Sequence, residues 1–557
     1  MRLHEITALA FLVKRFRGAM LAAALASIVS GVSSVVLLTL INRALTSDEG
    51  AAARLALQFA ATALTSMLVG MFARILFQRL RQDASAALQR FLSSRILVAP
   101  FRQLEQIGSP RVVAALTEHT TRVTEFFVAV PNVLTNGAMV LGCLVYLVAL
   151  SPRIFLVTLP FVALGAYGYH LANLKALSHL RAASAEQERL FERFRSLTEG
   201  AKELRLNRRR RSMFSDTVLR ESIETVRRRR TIGMSVFVAA SSWGNFLIYA
   251  FLGFVLFVIA GDIPDRARVL TGLALVMVYL VGPLQTLLLS LPEFNLIKVA
   301  AEQIESLTRS TAPTEHMPAA APVATFRNLT LRGVTHRYYH EQSNEFFELG
   351  PIDLTLRPGE VTFIVGGNGS GKTTLAKLLV GLYPPEQGVI LLDDEHIDAA
   401  NRDQYRQRFS AIFSDFHLFE TLLEASDAEL EVRGNRLIGR LQLHHKVQLR
   451  DGAFTTRALS QGQRKRLALV CACLEDRPVM VFDEWAADQD PTFKEVFYHE
   501  ILSELRLQGK AVIAISHDDR YFHIADRVIR LENGKLMDAE VAQRLRGSPS
   551  DRVTPIR

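Results

Sequence analysis

The residues with the plainest chemical meaning are the run Gly366, Gly367, Asn368, Gly369, Ser370, Gly371, Lys372, Thr373 and Thr374, and, further on, the acid pair Asp483 and Glu484. The first run fits G-x-x-x-x-G-K-[ST], placed after the apolar Val361–Val365 and before a helical stretch starting near Ala376. That strand–loop–helix setting is what gives the pattern its meaning. Glycines let successive backbone N–H groups turn inward around phosphates, and the helix N-terminus that follows favours the anion. Lys372 is expected to reach the β- and γ-phosphates of ATP, and Thr373 to bind Mg²⁺. Asp483 ends a second apolar run, Val479–Phe482, where the acid that completes a Mg²⁺ site belongs in this class of ATPase. Glu484, one residue on, can polarise the water that attacks the γ-phosphate.

A third element, Leu459–Leu469 (LSQGQRKRLAL), lies shortly before the acids. Ser460 and Gly462 open a helix there and offer a hydroxyl, backbone N–H groups and a positive dipole end. One phosphate loop is enough for one ATP. A second anion site therefore predicts that two copies of the chain sandwich each nucleotide between them.

These residues need elements to hold them, and the chain divides into two kinds. At 557 residues it exceeds one ordinary domain, and 49% hydrophobic content beside 22% charge predicts an apolar part joined to a polar part. Six long apolar stretches fall at Met20–Ile41, Leu55–Phe77, Phe127–Leu150, Ile154–Ala172, Met234–Ala260 and Val269–Leu291. Each is long enough for a helix to cross a hydrocarbon core of ~30 Å. Lys14, Arg15 and Arg17 precede the first, and Arg208–Arg211 and Arg227–Arg230 lie between the fourth and fifth. The opposite loops are short and nearly balanced in charge, so the N-terminus and the C-terminal half are expected in the cytoplasm. Beside membrane spans, the net charge of +10 reads as this asymmetry and not as a nucleic-acid surface. The three cysteines form no CxxC pair and read as buried thiols in a reducing compartment.

The two long cytoplasmic loops are expected to be helical, with turning points near Gln103–Pro110 and Leu197–Leu204. The Pro- and Ala-rich stretch Ser310–Ala324 reads as a linker. Beyond it, β-like runs alternate with helical ones, which predicts a largely parallel α/β sheet.

With these pieces in order, LSQGQ resembles the LSGGQ signature of ATP-binding cassette proteins, and the whole layout resembles exporters with six spans fused to one cassette. The resemblance implies that Tyr338 stacks on adenine, that His517 is the switch histidine at the γ-phosphate, and that Asp490 is the acid linking the two nucleotide sites. It further implies nucleotide contact for Ser460, Gln461, Gly462 and Gln463 from a second copy. Three departures stand out. Ser414 replaces the usual glutamine before Asp415, Gln461 replaces a signature glycine, and WAADQD (Trp485–Asp490) replaces the commoner Ser-Ala-Leu-Asp ending. Serine is too short to copy glutamine's reach, so Asp415 or a water is expected at the metal's shell. The stretches FSDFHLF, ALSQGQRKRLAL and FDEWAADQDP are together similar to the branch that exports cyclic peptides and siderophores, including pyoverdine-precursor, syringomycin-type and lasso-microcin exporters.

The expected chain is thus an all-α six-helix membrane domain with two long cytoplasmic loops (residues 1–309), a linker (310–326), an α/β P-loop ATPase cassette (327–546) and a polar tail (547–557). It would work as a homodimer in the bacterial inner membrane, among lipids, using ATP and Mg²⁺ to export a peptide-derived substrate. Lipid flippase, multidrug pump and membrane-anchored signalling ATPase are the rival readings. Asn136, Tyr167, Tyr169, His170, Trp243 and Asn245 are the polar or amphipathic residues in or near the spans that could line a cavity, or equally could bond between helices.

Overall fold

The computed structural model describes residues 8–46, 52–259, 266–311, 325–340, 345–422 and 428–537. Most of the expected linker and all of the expected tail lie outside these residues. The chain forms two compact units, Met1–Leu92 with Val113–Leu307, and Ser93–Val112 with Thr308–Arg557.

The first unit is helical. Its main helices are α1 (Ala8–Thr46), α2 (Ala52–Val98, which continues into the second unit) and, beyond the short α3 (Phe101–Ile107) of that second unit, α4 (Phe126–Leu150), α5 (Pro152–Glu199), α6 (Arg220–Phe254) and α7 (Arg266–Ser310). Six stretches are long and apolar enough to cross a membrane, with window hydropathies of 1.6 to 2.2. Their apolar side chains point outward as well as inward: Leu21, Leu57, Leu141 and Phe257 are all more than half exposed. A helix apolar all round is stable only where lipid takes the place of water. At ~1.5 Å per residue, the 47 residues of α2 run far beyond a ~30 Å hydrocarbon core. Inside, α1 packs on α4 and α5 on α6, around one cluster holding Phe77, Leu88 and Phe127 and another holding Cys143, Phe251 and Leu273.

Local chemistry sets the ends of these helices. Ser151 caps α5 by accepting from the Ile154 N–H, with Pro152 in the first turn, where its missing donor costs nothing. Pro100 and Gly108, at φ +79°, bracket α3. Gly200 and Asn207 bracket the short helix Ala201–Leu206. These breaks fall at the two turning points that small and polar residues mark in the sequence.

The second unit is built on a six-stranded sheet. Its strands, counted with those of a smaller neighbouring sheet, are β1 (Leu329–His340), β2 (Glu345–Leu356), β3 (Val361–Val365), β4 (Gln387–Leu392), β5 (Glu395–His396), β6 (Phe409–Ile412), β7 (Val479–Asp483), β8 (Ala511–Ile515), β9 (Arg527–Glu532) and β10 (Lys535–Leu536). The large sheet runs β10-β9-β3-β8-β7-β6, parallel except for β10; the small one is antiparallel, in the order β2-β1-β4-β5. Every residue of β3, β7 and β8 is buried. That explains why these strands read as nearly continuous apolar runs without alternation. Apolar clusters cover both faces of the sheet, one around Leu467, Trp485 and Phe497, the other around Leu375, Leu379 and Tyr405.

α3 belongs to this cassette unit. Phe101 packs against the second cluster with its ring 6.2 Å from that of Tyr383, and Arg102 Nη1 lies 3.1 Å from Glu386. Glu105 accepts from Lys377 Nζ at 2.9 Å and from the Tyr383 hydroxyl. Lys377 sits on α8 (Lys372–Leu379), the helix that follows the phosphate loop. The segment between the second and third spans is therefore fastened to the same helix that begins at Lys372.

Candidate active site

In a parallel sheet the loops beyond the carboxyl ends of adjacent strands converge on one edge. Here β3 leads into the glycine-rich loop, β7 ends at Asp483 and β8 ends two residues before His517. Because β8 pairs with both β3 and β7, three groups far apart in sequence meet at one edge.

The loop itself depends on backbone freedom. Gly366, Gly369 and Gly371 have φ of +152°, +78° and +100°. A Cβ on Gly366 would lie 2.1 Å from the Leu531 carbonyl oxygen, so no other residue fits. Lys372 is only 6% exposed and donates to the Gly366 and Gly367 carbonyls at 3.1 and 2.9 Å. Burial pushes its ammonium below the ordinary lysine range, opposed by the nearby Glu484 and Asp483. Gly367, Asn368 and Gly369 are exposed, Ser370 and Gly371 buried, and Thr374 lies in the first turn of α8.

Thr373 Oγ1 donates to Asp483 Oδ2 at 3.0 Å, which brings together the two expected metal-binding residues. Asp483 is fully buried; burial pushes its carboxyl up, countered by the Thr373 hydroxyl and the Ser414 backbone. Its other oxygen, Oδ1, is buried with no hydrogen-bond partner among the described residues, as is Ser370 Oγ. A buried orphan acceptor is costly unless something completes it. Hydroxyl and carboxylate oxygens are the donors Mg²⁺ takes, with phosphate and water filling the rest of its shell, so this pair fits that ion. Among the described residues no cluster of three or more His, Cys, Asp or Glu side chains could hold a metal by itself.

Glu484 has φ +51°, a left-handed conformation that costs a non-glycine residue ~1–3 kcal/mol. Its N–H donates to the Ile515 carbonyl at 3.2 Å, and its own carbonyl accepts from Lys465 Nζ at 3.0 Å. Held at both ends, the turn sets the carboxylate 3.1 Å from His517 Nε2, with both side chains partly open to solvent. An acid and an imidazole in hydrogen-bond contact at the rim of a phosphate loop can together accept and position a water's proton.

Ser460 caps α10 (Gln461–Leu474), for which α9 (Ala428–Arg440) is the packing neighbour. Its Oγ accepts from the Gln463 N–H at 3.4 Å, and Gln463 Oε1 accepts from the Ser460 N–H at 3.1 Å. This reciprocal box leaves Ser460 exposed at the helix start. Gln461 donates to Asp488 at 3.1 Å, and Gln489 donates to the Gly462 carbonyl at 3.1 Å. Lys465 lies 2.8 Å from Asp488, and Trp485 Nε1 donates to the Lys465 carbonyl at 2.8 Å. The signature helix and the loop after the acids are thus stitched together within one chain, a network that sequence reasoning did not identify. Asp490 accepts from the Phe493 N–H at 3.1 Å and caps the short helix Pro491–Glu495.

Two further expected residues belong to the same unit. Asp415 is an exposed residue of the turn after β6, next to the exposed Ser414. Tyr338 lies in β1 paired with Phe347 of β2, its side chain outside the described set. In the membrane unit, Tyr169 donates to the Leu288 carbonyl at 3.1 Å and Asn245 accepts from Gln285 at 2.9 Å, so both are tied between helices. Asn136 donates within its own helix, Tyr167 and Trp243 are exposed, and the His170 side chain lies outside the described residues. Sequence reasoning also missed Phe101, Arg102 and Glu105. Their signal was a short amphipathic stretch bounded by Pro100 and Gly108.

Comparison with known proteins agrees with this geometry. The family model described as ABC transporter matches residues 349–487. The chain is 34% identical over 522 residues to the ATP-binding protein SyrD of Pseudomonas syringae pv. syringae, covering 92% of each. It is 25% identical to an ATP-dependent lipid A-core flippase of Thiobacillus denitrificans, over 83% of this chain and 80% of that protein. A multidrug efflux ATP-binding/permease protein of Mycobacterium bovis is 27% identical over 78% of this chain, which spans 37% of that longer protein. With six spans ahead of the cassette and a relative matched almost end to end, the chain belongs to the ATP-binding cassette transporter family, as an exporter half of the inner membrane whose cytoplasmic ATPase couples ATP hydrolysis to transport.

Proposed function

We propose that the chain exports a cyclic or otherwise modified peptide, of siderophore-precursor or lipopeptide type, as a homodimer that binds two ATP between its cassettes. The observation that carries the cargo reading is the near end-to-end match to SyrD, which extends through the membrane half as well as the cassette. The branch-like stretches ALSQGQRKRLAL and FDEWAADQDP support it. Lys372 and the loop N–H groups hold the phosphates, Tyr338 the adenine, and Thr373 and Asp483 the Mg²⁺, with Asp415 at its water shell. Bound there, Mg²⁺ would neutralise charge on the β- and γ-phosphate oxygens. Glu484 accepts the water's proton while His517 fixes the carboxylate. Ser460, Gln461, Gly462 and Gln463 of one copy close on the γ-phosphate held by the other, and Asp490 links the two sites. ATP binds the closed dimer better than the open one, so binding shifts the population toward an outward-open cavity and hydrolysis resets it.

The test uses purified protein in liposomes. Peptides secreted by the host should stimulate its ATPase and accumulate in inverted vesicles when ATP is supplied. Accumulation of a phospholipid or a cationic dye, with no response to those peptides, would overturn the cargo reading in favour of the flippase or multidrug function named for the two more distant relatives.

A further inference from the structure

A groove of about 660 Å³ runs along one face of α6, lined by Arg227, Arg230, Thr231, Met234, Ser235 and Val238 among others. Their spacing places them on a single stripe of the helix. Along that stripe guanidiniums give way at Thr231 to a face that is mainly apolar, Met234, Val238 and Ala239, with one hydroxyl, Ser235, among them. Arg230 stands four residues, or ~6 Å of helix rise, before the apolar span that begins at Met234. Its charge is therefore at the depth of the cytoplasmic headgroups while Met234 and Val238 are at the depth of acyl chains. A phospholipid runs the same way, from phosphate to hydrocarbon.

The charges at that level are unbalanced. Arg229 and Arg230 are exposed and have no ion-pair partner among the described residues. Arg227 is engaged by Glu224, with Nε 2.7 Å from the carboxylate. The neighbouring α5 adds more of the same sign. Gly233 of α6 approaches Ala176 and Leu180 of α5, which sets the exposed Lys175 and Arg181 at the same depth. A protein surface packed on this face would have to bring carboxylates to these guanidiniums or bury them unpaired at high cost. Phosphate is a bidentate partner for guanidinium and lies at this depth in every anionic bilayer.

From this we propose that the cytoplasmic end of the fifth span is a binding site for an anionic phospholipid, its phosphate held at Arg230 and one acyl chain lying along Met234 and Val238. The site is independent of the cargo reading. The full-length protein is purified, exchanged into nanodiscs of phosphatidylcholine with or without phosphatidylglycerol, and its retained lipids counted by native mass spectrometry. Wild type should retain phosphatidylglycerol over phosphatidylcholine. Arg230→Gln should lower that retention about fivefold, the size of one basic contact to an anionic surface. Val238→Trp, which fills the groove without changing charge, should lower it too, whereas Arg230→Lys should keep most of it. Arg208→Gln removes the same charge far from the span and should leave retention intact. Equal retention of the two lipids, or an equal fall in Arg208→Gln, would overturn the site. So would full displacement by millimolar inorganic phosphate, which would mark a soluble-anion site. Disulfide formation between two Val238→Cys copies would assign the face to a subunit contact and likewise overturn it. Unfolding temperatures of the variants in detergent separate loss of the site from loss of the fold.

Discussion

Replacing Glu484 by glutamine is the sharpest perturbation of the proposed chemistry. The change keeps the side chain's size and leaves the backbone bonds that hold the turn, from the Glu484 N–H to Ile515 and from Lys465 to the Glu484 carbonyl. The amide oxygen can still meet His517 Nε2 across 3.1 Å. What disappears is the negative charge that accepts a proton from water. Losing a positioned general base costs about 10²–10⁴ in rate, which is ~3–5 kcal/mol of barrier. The phosphate loop and the Thr373–Asp483 pair are untouched, so ATP should still bind and should accumulate unhydrolysed. Phosphate release from liposome-embedded protein measures the first effect, and nucleotide retained after rapid gel filtration measures the second. Near-wild-type turnover would refute the assignment, and parallel loss of ATP binding would show that the residue is structural instead.

The shared-site arrangement predicts that Lys372→Ala and Ser460→Arg each disable the homodimer. In an enforced mixed dimer, placing one change on each chain should leave one intact nucleotide site, and placing both on one chain should leave none; nucleotide counting per dimer decides it. Asp415→Ala should lower transport-coupled hydrolysis more than ATP binding, and unchanged activity across a Mg²⁺ titration would mark Asp415 as surface only. Glu105→Gln should loosen α3: burial alone would raise the Glu105 carboxyl, but Tyr383 and Lys377 outweigh it and hold the group below its ordinary value. A depressed acid stabilises above its unfolded pKa and loses that stability as pH falls, so acidification below about pH 4.5 should mimic the variant. With the group half exposed, amide exchange in residues 101–107 should rise only a few fold, on the order of 1 kcal/mol.

Much of this site is visible in the linear sequence because its parts are local. A phosphate loop needs its glycines and lysine at fixed spacing, and an acid at a strand end needs only the apolar run before it. Parallel strands buried on both faces announce themselves as Val- and Ile-rich runs, and membrane spans by length and hydropathy. Contacts between segments carry no such periodic mark. Nothing in the stretch around Gln103 states that Glu105 will meet Lys377, because that pairing depends on how a seven-residue helix docks on the cassette. The interhelical bonds of Tyr169 and Asn245 are hidden for the same reason: polarity within a span is legible, but its direction is set by packing.

The departures from the usual cassette pattern show how far single positions mislead when taken one by one. Gln461 in the signature and Asp488 after the acid pair each look like an isolated substitution. In the structure they bond to each other at 3.1 Å. Beside them, Gln489 takes the Gly462 carbonyl, and Trp485 takes the carbonyl of Lys465, whose ammonium in turn holds both Asp488 and the carbonyl of Glu484. A glycine at 461 would leave Asp488 without the amide, and a leucine at 489 would leave the Gly462 carbonyl without its donor. The unusual residues therefore form one unit whose effect is to fix the signature helix to the backbone of Glu484. Ser414 fits the same logic: with no glutamine side chain to offer, it supplies backbone that favours the charged form of Asp483. Asp483 and Glu484 are thus positioned by main chain and by this local network, with no glutamine side chain at 414 taking part.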